Sequence, residues 1–119
     1  MNRTHIALYL AASTLVAAPH TAQGQTTSRR FPVDTASIAT IHGAFKARRL
    51  TCRSLVQQYL TRIETLDKRG PAINSIVTTN PDALSVADSL DRAYAVRGAL
   101  GPLHCIPLIV KDNFETVGL

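Results

Sequence analysis

Residues 101–119 read GPLHCIPLIVKDNFETVGL, and the reading of this stretch decides the fold class. It opens on a Gly-Pro break at Gly101 and Pro102. An uninterrupted apolar run follows: Ile106, Pro107, Leu108, Ile109 and Val110, ended by Lys111 and Asp112. A short continuous apolar run of this kind suits a strand buried on both faces. Proline cannot donate to a ladder, so the strand proper is expected over residues 108–111, with Pro107 at its start or on an edge. The lysine at its end has two readings. Its stem can lie along the core with the ammonium in water. Alternatively, desolvation lowers its pKa and it serves as a base.

Upstream, the periodicity is helical. Asp34 or Thr35 can cap a first helix whose face is Ile38, Ile41 and Phe45, at steps of three and four. His42 lies beside that stripe and has no ligand-like spacing. Leu50 and Thr51 interrupt the pattern, and Thr51 caps a second helix of about four turns. Its stripe is Leu55, Tyr59, Ile63 and Leu66, widened by Val56 and Leu60. Gly70 and Pro71 end it. Residues 73–79, with Ile73, Ile76 and Val77 followed by threonines, are expected as a second short strand. Asn80 and Pro81 introduce a third helix with Ala83, Ala87, Leu90 and Tyr94 on its buried face. Gly98 closes it. The spacings Glu64/Lys68 and Asp88/Arg92 predict weak surface pairs along the helices. Helices interleaved with short strands make the fold class α/β.

The first 24 residues carry a different pattern. Arg3 precedes an apolar run from position 6 to 18 without acid or base, too short to span a bilayer comfortably. Ala22 and Gly24 then supply small residues for cleavage before Gln25, the layout of a secretory signal peptide. Residues 25–34 read as a flexible lead-in, and 35–119 as the structured part. The protein is therefore expected to be exported, with no stable membrane anchor after cleavage. Removing Arg3 takes the formal charge from +5 to +4. That charge is spread out. The densest cluster, Lys46, Arg48, Arg49 and Arg53, has no interleaved aromatic residues, so it reads as a solvated helix surface rather than a nucleic-acid site.

With 119 residues and a hydrophobic share of 45%, the chain is sized for one small domain and too apolar to be disordered. It ends directly after the lysine segment and reads as the front end of a longer protein. There is no glycine-rich phosphate loop, and no cofactor is expected. The two cysteines, Cys52 and Cys105, lack metal-ligand spacing, and no metal site is expected. In an oxidising compartment they could pair. They are expected to stay apart, one at a helix start and one beside a buried strand.

The run GPLHCIPLIVKD resembles the lysine-bearing motif of the amidase signature family, GPLHGIPxxVKD. Gly101, Pro102, Leu103, His104, Ile106, Pro107, Val110, Lys111 and Asp112 match, and Cys105 stands where the family most often has glycine. The helix–helix–strand–helix order upstream is similar to the family's N-terminal region, and the resemblance implies the first helices and strands of a mixed central sheet flanked by helices, incomplete in this chain. The resemblance implies hydrolysis of carboxamide C–N bonds by a Ser–Ser–Lys triad. It places Lys111 as the catalytic base, with a small-molecule amide as the substrate. Both serines and the oxyanion hole would lie beyond Leu119. Ser37, Ser54, Ser75, Ser85 and Ser89 sit in predicted helices or a strand without glycine-rich turns, and none is expected to be a nucleophile. His104 and Asp112 match the motif but are assigned no chemistry. On this reading the chain alone is inactive and folds poorly. The alternative is a small secreted α/β protein that binds a partner through its helices without catalysis. The family also contains the enzyme component that amidates misacylated tRNA, a cytosolic role the signal pattern argues against. The sequence names neither the particular amide nor the oligomeric state.

Overall fold

The computed structural model describes residues 30–117. Cleavage after position 24, and all of the lead-in before residue 30, lie outside them. The described chain is built from three α-helices and one π-helical turn, in the order α1 (Ile38–Lys46), α2 (Cys52–Arg62), the π turn Ile63–Lys68, and α3 (Ala83–Arg97).

Each helix starts where a side chain can satisfy free N–H groups. In α1 the cap is Ser37, not Asp34 or Thr35. Its hydroxyl accepts from the Thr40 amide, and the Thr40 hydroxyl accepts from the Ser37 amide, a reciprocal capping box. In α2 the cap is Thr51 as the sequence predicts, in the same reciprocal arrangement with Ser54. A second cap comes from across the fold. The two carboxylate oxygens of Asp91 on α3 accept from the amides of Cys52 and Arg53, at 2.7 and 3.0 Å. This adds negative charge to the positive end of the α2 dipole and fixes α2 against α3. The start of α3 is organised by Asn80. Its side-chain oxygen accepts from the Asp82 amide and its carbonyl from the Ala83 amide.

The core lies where α1, α2 and α3 meet. Val33, Ile41, Ala44, Phe45, Leu50, Leu55, Ala87, Cys52 and Cys105 are buried, with Tyr59, Leu90, Tyr94 and Ile106 packed around them. Leu55 has no exposed surface at all. Of the predicted stripes, Ile41 and Phe45 of α1 and Leu55 and Tyr59 of α2 supply this core, whereas Ile38, at the first position of α1, is 44% exposed. At the π turn the winding widens to i→i+5 bonding, seen in the Arg69 amide donating to the Glu64 carbonyl at 3.1 Å. The wider turn shifts the phase of the face. Leu66, expected inside, is 41% exposed, and Asp67 takes the inward position at 5%. The same shift re-sorts the surface pairs. Glu64 pairs with Arg69 at 2.6 Å and Lys68 with Asp67 at 3.0 Å, instead of with each other. Asp88 likewise pairs with Arg53 on α2, and Arg92 donates to Ser89.

The π turn ends at Gly70, which has φ +48°. A Cβ there would sit 2.7 Å from the Thr65 carbonyl oxygen, so glycine is required. The chain then folds back on Asp67. Its carboxylate accepts from the Ser75 amide, the Ser75 hydroxyl and the Ile76 amide, and its backbone carbonyl from the Asn74 amide. The Ser75 hydroxyl bond, more than any other contact, holds the Asp67 carboxyl well below the usual carboxylate range. The Ser75 amide, Lys68 and the Ile76 amide add to it against the opposing effect of burial.

The two expected strands are not formed among the described residues. Residues 73–79 and 106–111 are irregular, and Ile73, Val77, Leu108, Ile109 and Val110 are all exposed. A strand is stabilised by a partner's ladder and a covered face, and these two segments do not pair with each other. The described architecture is thus helical, and the sheet half of the α/β expectation is not seen in it. Among the described residues no helix is long and apolar enough to cross a membrane.

Candidate functional site

The chemistry-bearing residues converge at the junction of α2 with the loop 101–105. Cys52, the first residue of α2, is joined by a disulfide to Cys105, with Cα atoms 5.4 Å apart. The expectation that the two thiols stay apart is corrected by this bond. The helix start and the loop, placed separately by sequence, pack side by side, and the Cα separation falls in the range a disulfide spans. Both sulfurs are buried.

His104 lies between this bond and the aromatic cluster. Its ring stacks on Tyr94 at 5.4 Å and meets Phe45 edge-on at 6.5 Å. Its Nε2 is 3.8 Å from the Cys52 sulfur and 3.6 Å from the Cys105 sulfur. Its Nδ1 is buried and meets no hydrogen-bond partner among the described residues. Burial, with help from nearby His42, lowers the His104 pKa against the weaker opposing pull of Asp91. His42 has a part in the site that the sequence did not suggest. Its Nε2–H donates to the His104 carbonyl at 3.1 Å and ties α1 to the loop. Two sulfurs and an imidazole this close resemble a soft-metal ligand set. Bonded to each other, the sulfurs have no thiolate to offer.

The loop itself is a tight turn. The His104 amide donates to the Gly101 carbonyl and the Ile106 amide to the Leu103 carbonyl. Cys105 has φ +59°, a left-handed conformation that favours glycine and is costly for a residue with a Cβ.

Lys111 lies six residues past this loop. Its side chain is 72% exposed and its ammonium pairs with the neighbouring Asp112 carboxylate. The buried strand end expected from the sequence is therefore not supplied by the described residues. The apolar run leading to Lys111 packs against little of the helical body, and Ile109 is 83% exposed. Among the described residues no serine hydrogen-bonds to Lys111. Ser37 and Ser54 serve in caps, Ser75 binds Asp67, and Ser85 and Ser89 bond to nearby backbone carbonyls at the start of α3 and within it. Sequence reasoning missed the His104 stack, the Asp91 cap and the Asp67 hub. The even number of cysteines was the one signal for the disulfide.

Compared with known proteins, residues 54–119 match the model of a family described as Amidase. A probable amidase of Arabidopsis thaliana is 36% identical over 91 residues, covering 75% of this chain and 17% of that protein. A glutamyl-tRNA(Gln) amidotransferase component from Alkalilimnicola ehrlichii is 36% identical over 84 residues, or 70% of this chain and 16% of the relative. The corresponding component from Methylococcus capsulatus is 39% identical over 84 residues, with the same shares. The matched region thus spans about a sixth of the length of these relatives. No solved structure matches.

Proposed function

Because this chain belongs to the amidase signature family, we propose that it is the N-terminal segment of an exported amidase that hydrolyses small-molecule amides, with Lys111 as the base. The observation that carries this is the run Gly101-Pro102-Leu103-His104 through Val110-Lys111-Asp112, inside the matched residues 54–119. In a Ser–Ser–Lys mechanism one serine attacks the amide carbon, a second relays its proton, and the lysine accepts it. Both serines belong to the part of the protein beyond Leu119. An ammonium cannot act as a base, so Lys111 must be neutral when it receives the proton. The apolar run before it supports this role. Covered by the rest of the domain, residues 106–110 would place Lys111 in low-dielectric surroundings that favour the neutral amine.

Export is supported by the layout of residues 1–24 and by the Cys52–Cys105 disulfide, since such bonds persist in oxidising compartments. The relatives named as amidotransferase components favour a second reading, transfer of the amide nitrogen rather than its release.

The test is kinetics on the full-length protein with simple aryl amides. Lys111→Ala is expected to abolish turnover with the circular dichroism spectrum unchanged. Lys111→Arg is expected to fail as well, because a guanidinium keeps its proton at working pH. Near-normal turnover by Lys111→Arg would reduce the lysine to a structural charge. Release of the amide nitrogen that requires an activated carboxyl acceptor, and ends in a new amide on it, would favour transfer.

A further inference from the structure

We propose that the Cys52–Cys105 bond is a redox-sensitive clasp that sets the conformation of the loop 101–105 and so the direction in which the chain enters the segment carrying Lys111. The proposal touches the amidase reading only through Lys111, and its readouts below do not depend on activity.

Three observations carry it. The bond joins points 53 residues apart in sequence, and it ties the loop to the best-anchored position of the fold, the start of α2. Cys105 holds φ +59° without being glycine, a conformation that persists only where the surroundings impose it. Beyond Ile106 the chain is exposed up to Lys111, so among the described residues the loop is what anchors the start of that segment. Besides the bond, the loop is held by the His42 contact to the His104 carbonyl and by the stack of His104 on Tyr94. These contacts position His104; the turn bond from the Ile106 amide to the Leu103 carbonyl spans Cys105 and shares in holding its backbone, while the disulfide is what ties the Cys105 side chain to the helical body.

The redox step uses an external dithiol. One thiolate attacks a cysteine sulfur, the S–S bond breaks, and the other sulfur leaves with the electron pair. The second thiolate of the reagent then displaces the first cysteine. The dithiol is oxidised to its cyclic disulfide, its two protons end on Cys52 and Cys105, and the pair has gained two electrons. Both sulfurs are buried, so the attack requires the loop to open.

The experiment compares the full-length protein as isolated with the same protein reduced by dithiothreitol, and with two double variants, Cys52→Ser/Cys105→Ser and Cys52→Ser/Cys105→Gly. The readouts are thiol titration, zinc content and amide hydrogen exchange. As isolated, neither cysteine should titrate. Reduction, and the double-serine variant, should speed exchange at His104 and Ile106 by about five- to thirty-fold, the cost of leaving a left-handed residue unsupported. The glycine-containing variant should recover most of that protection without any bond, because glycine adopts positive φ freely. Amides of α1 and α2 should be unchanged. If the double-serine variant does not fold, the reduced wild-type protein gives the same comparison. Unchanged exchange on reduction would overturn the proposal, as would a glycine variant no better protected than the serine one. Two titratable thiols with bound zinc in the isolated protein would overturn it in favour of a Cys52, His104 and Cys105 metal site. Loss of amidase activity in every sample, with the exchange pattern as expected, would count against the proposed function and leave the clasp standing.

Discussion

The helical body and the apolar run before Lys111 are built from similar residues and have opposite fates. Leu55 and Ile109 are both branched aliphatic side chains, yet one has no exposed surface and the other is 83% exposed. The helices satisfy their backbone within themselves, and their ends are closed by Ser37, Thr51 and Asp91. What remains is one apolar stripe each, which two neighbours can cover. A buried strand needs a ladder on its edges and cover on both faces. The difference shows that local signals specify the body and do not by themselves give the lysine segment a covered face.

Substitutions in the full-length protein put this contrast at risk. The largest effect is expected at Leu55. Leu55→Ala should lower unfolding stability by about 2–5 kcal/mol, measured by denaturant titration, because it opens a cavity in a site with no exposed surface. Ile109→Ala belongs in the same titration. On the proposed function, its cost should approach the same range, and a change within about 0.5 kcal/mol would mean that nothing covers the run. Gly70→Ala should cost less, about 1–3 kcal/mol, from the positive φ and the clash with the Thr65 carbonyl, and should appear as a lowered thermal midpoint.

The smallest effect probes the helical body through pH. The His104 pKa is depressed in the folded state, so the unfolded chain protonates first. Stability contributed by neutral His104 is complete above the ordinary histidine value of 6.5 and is lost as pH falls through the lower folded value. The groups facing the ring are His42, which also disfavours its charge, and Asp91, which favours it. A stability profile flat from pH 7 to pH 5 would mean that the ring is not held neutral. Replacing His104 by Gln should flatten a profile that does slope.

Much of the helical body was legible in the sequence because its signals are local. Thr51 is followed at the right distance by Ser54, Leu55 and Tyr59 repeat at helical spacing, and Gly70 and Gly98 stand where the helices end. The failures share a cause. Leu66 and Asp67 exchanged places because a widened turn leaves no mark in the hydrophobic period. Asp91 reached Cys52 and Arg53 across 39 and 38 residues, and Cys105 reached Cys52 across 53. No spacing rule contains such distances. The strand expectations rested on composition, which shows that a segment suits a sheet and not that a partner is present. For the site, the motif singled out Lys111, while the surroundings that would make it a base are a property of residues far from it.

The π turn Ile63–Lys68 has a consequence for how this chain compares in length with its relatives. A helix that takes one residue more per turn than its neighbours behaves as though a residue had been inserted into it. Removing one residue ahead of Asp67 would restore ordinary winding and leave everything after it facing as it does now, because the widened turn already absorbs the extra residue. Asp67 would then stand three residues after Ile63, the ordinary helical spacing, and keep its inward position beside Ser75 and Ile76. An alignment with a relative one residue shorter here would place its gap within a helix rather than in a loop. On either side of that gap the two chains would keep the same faces toward the core.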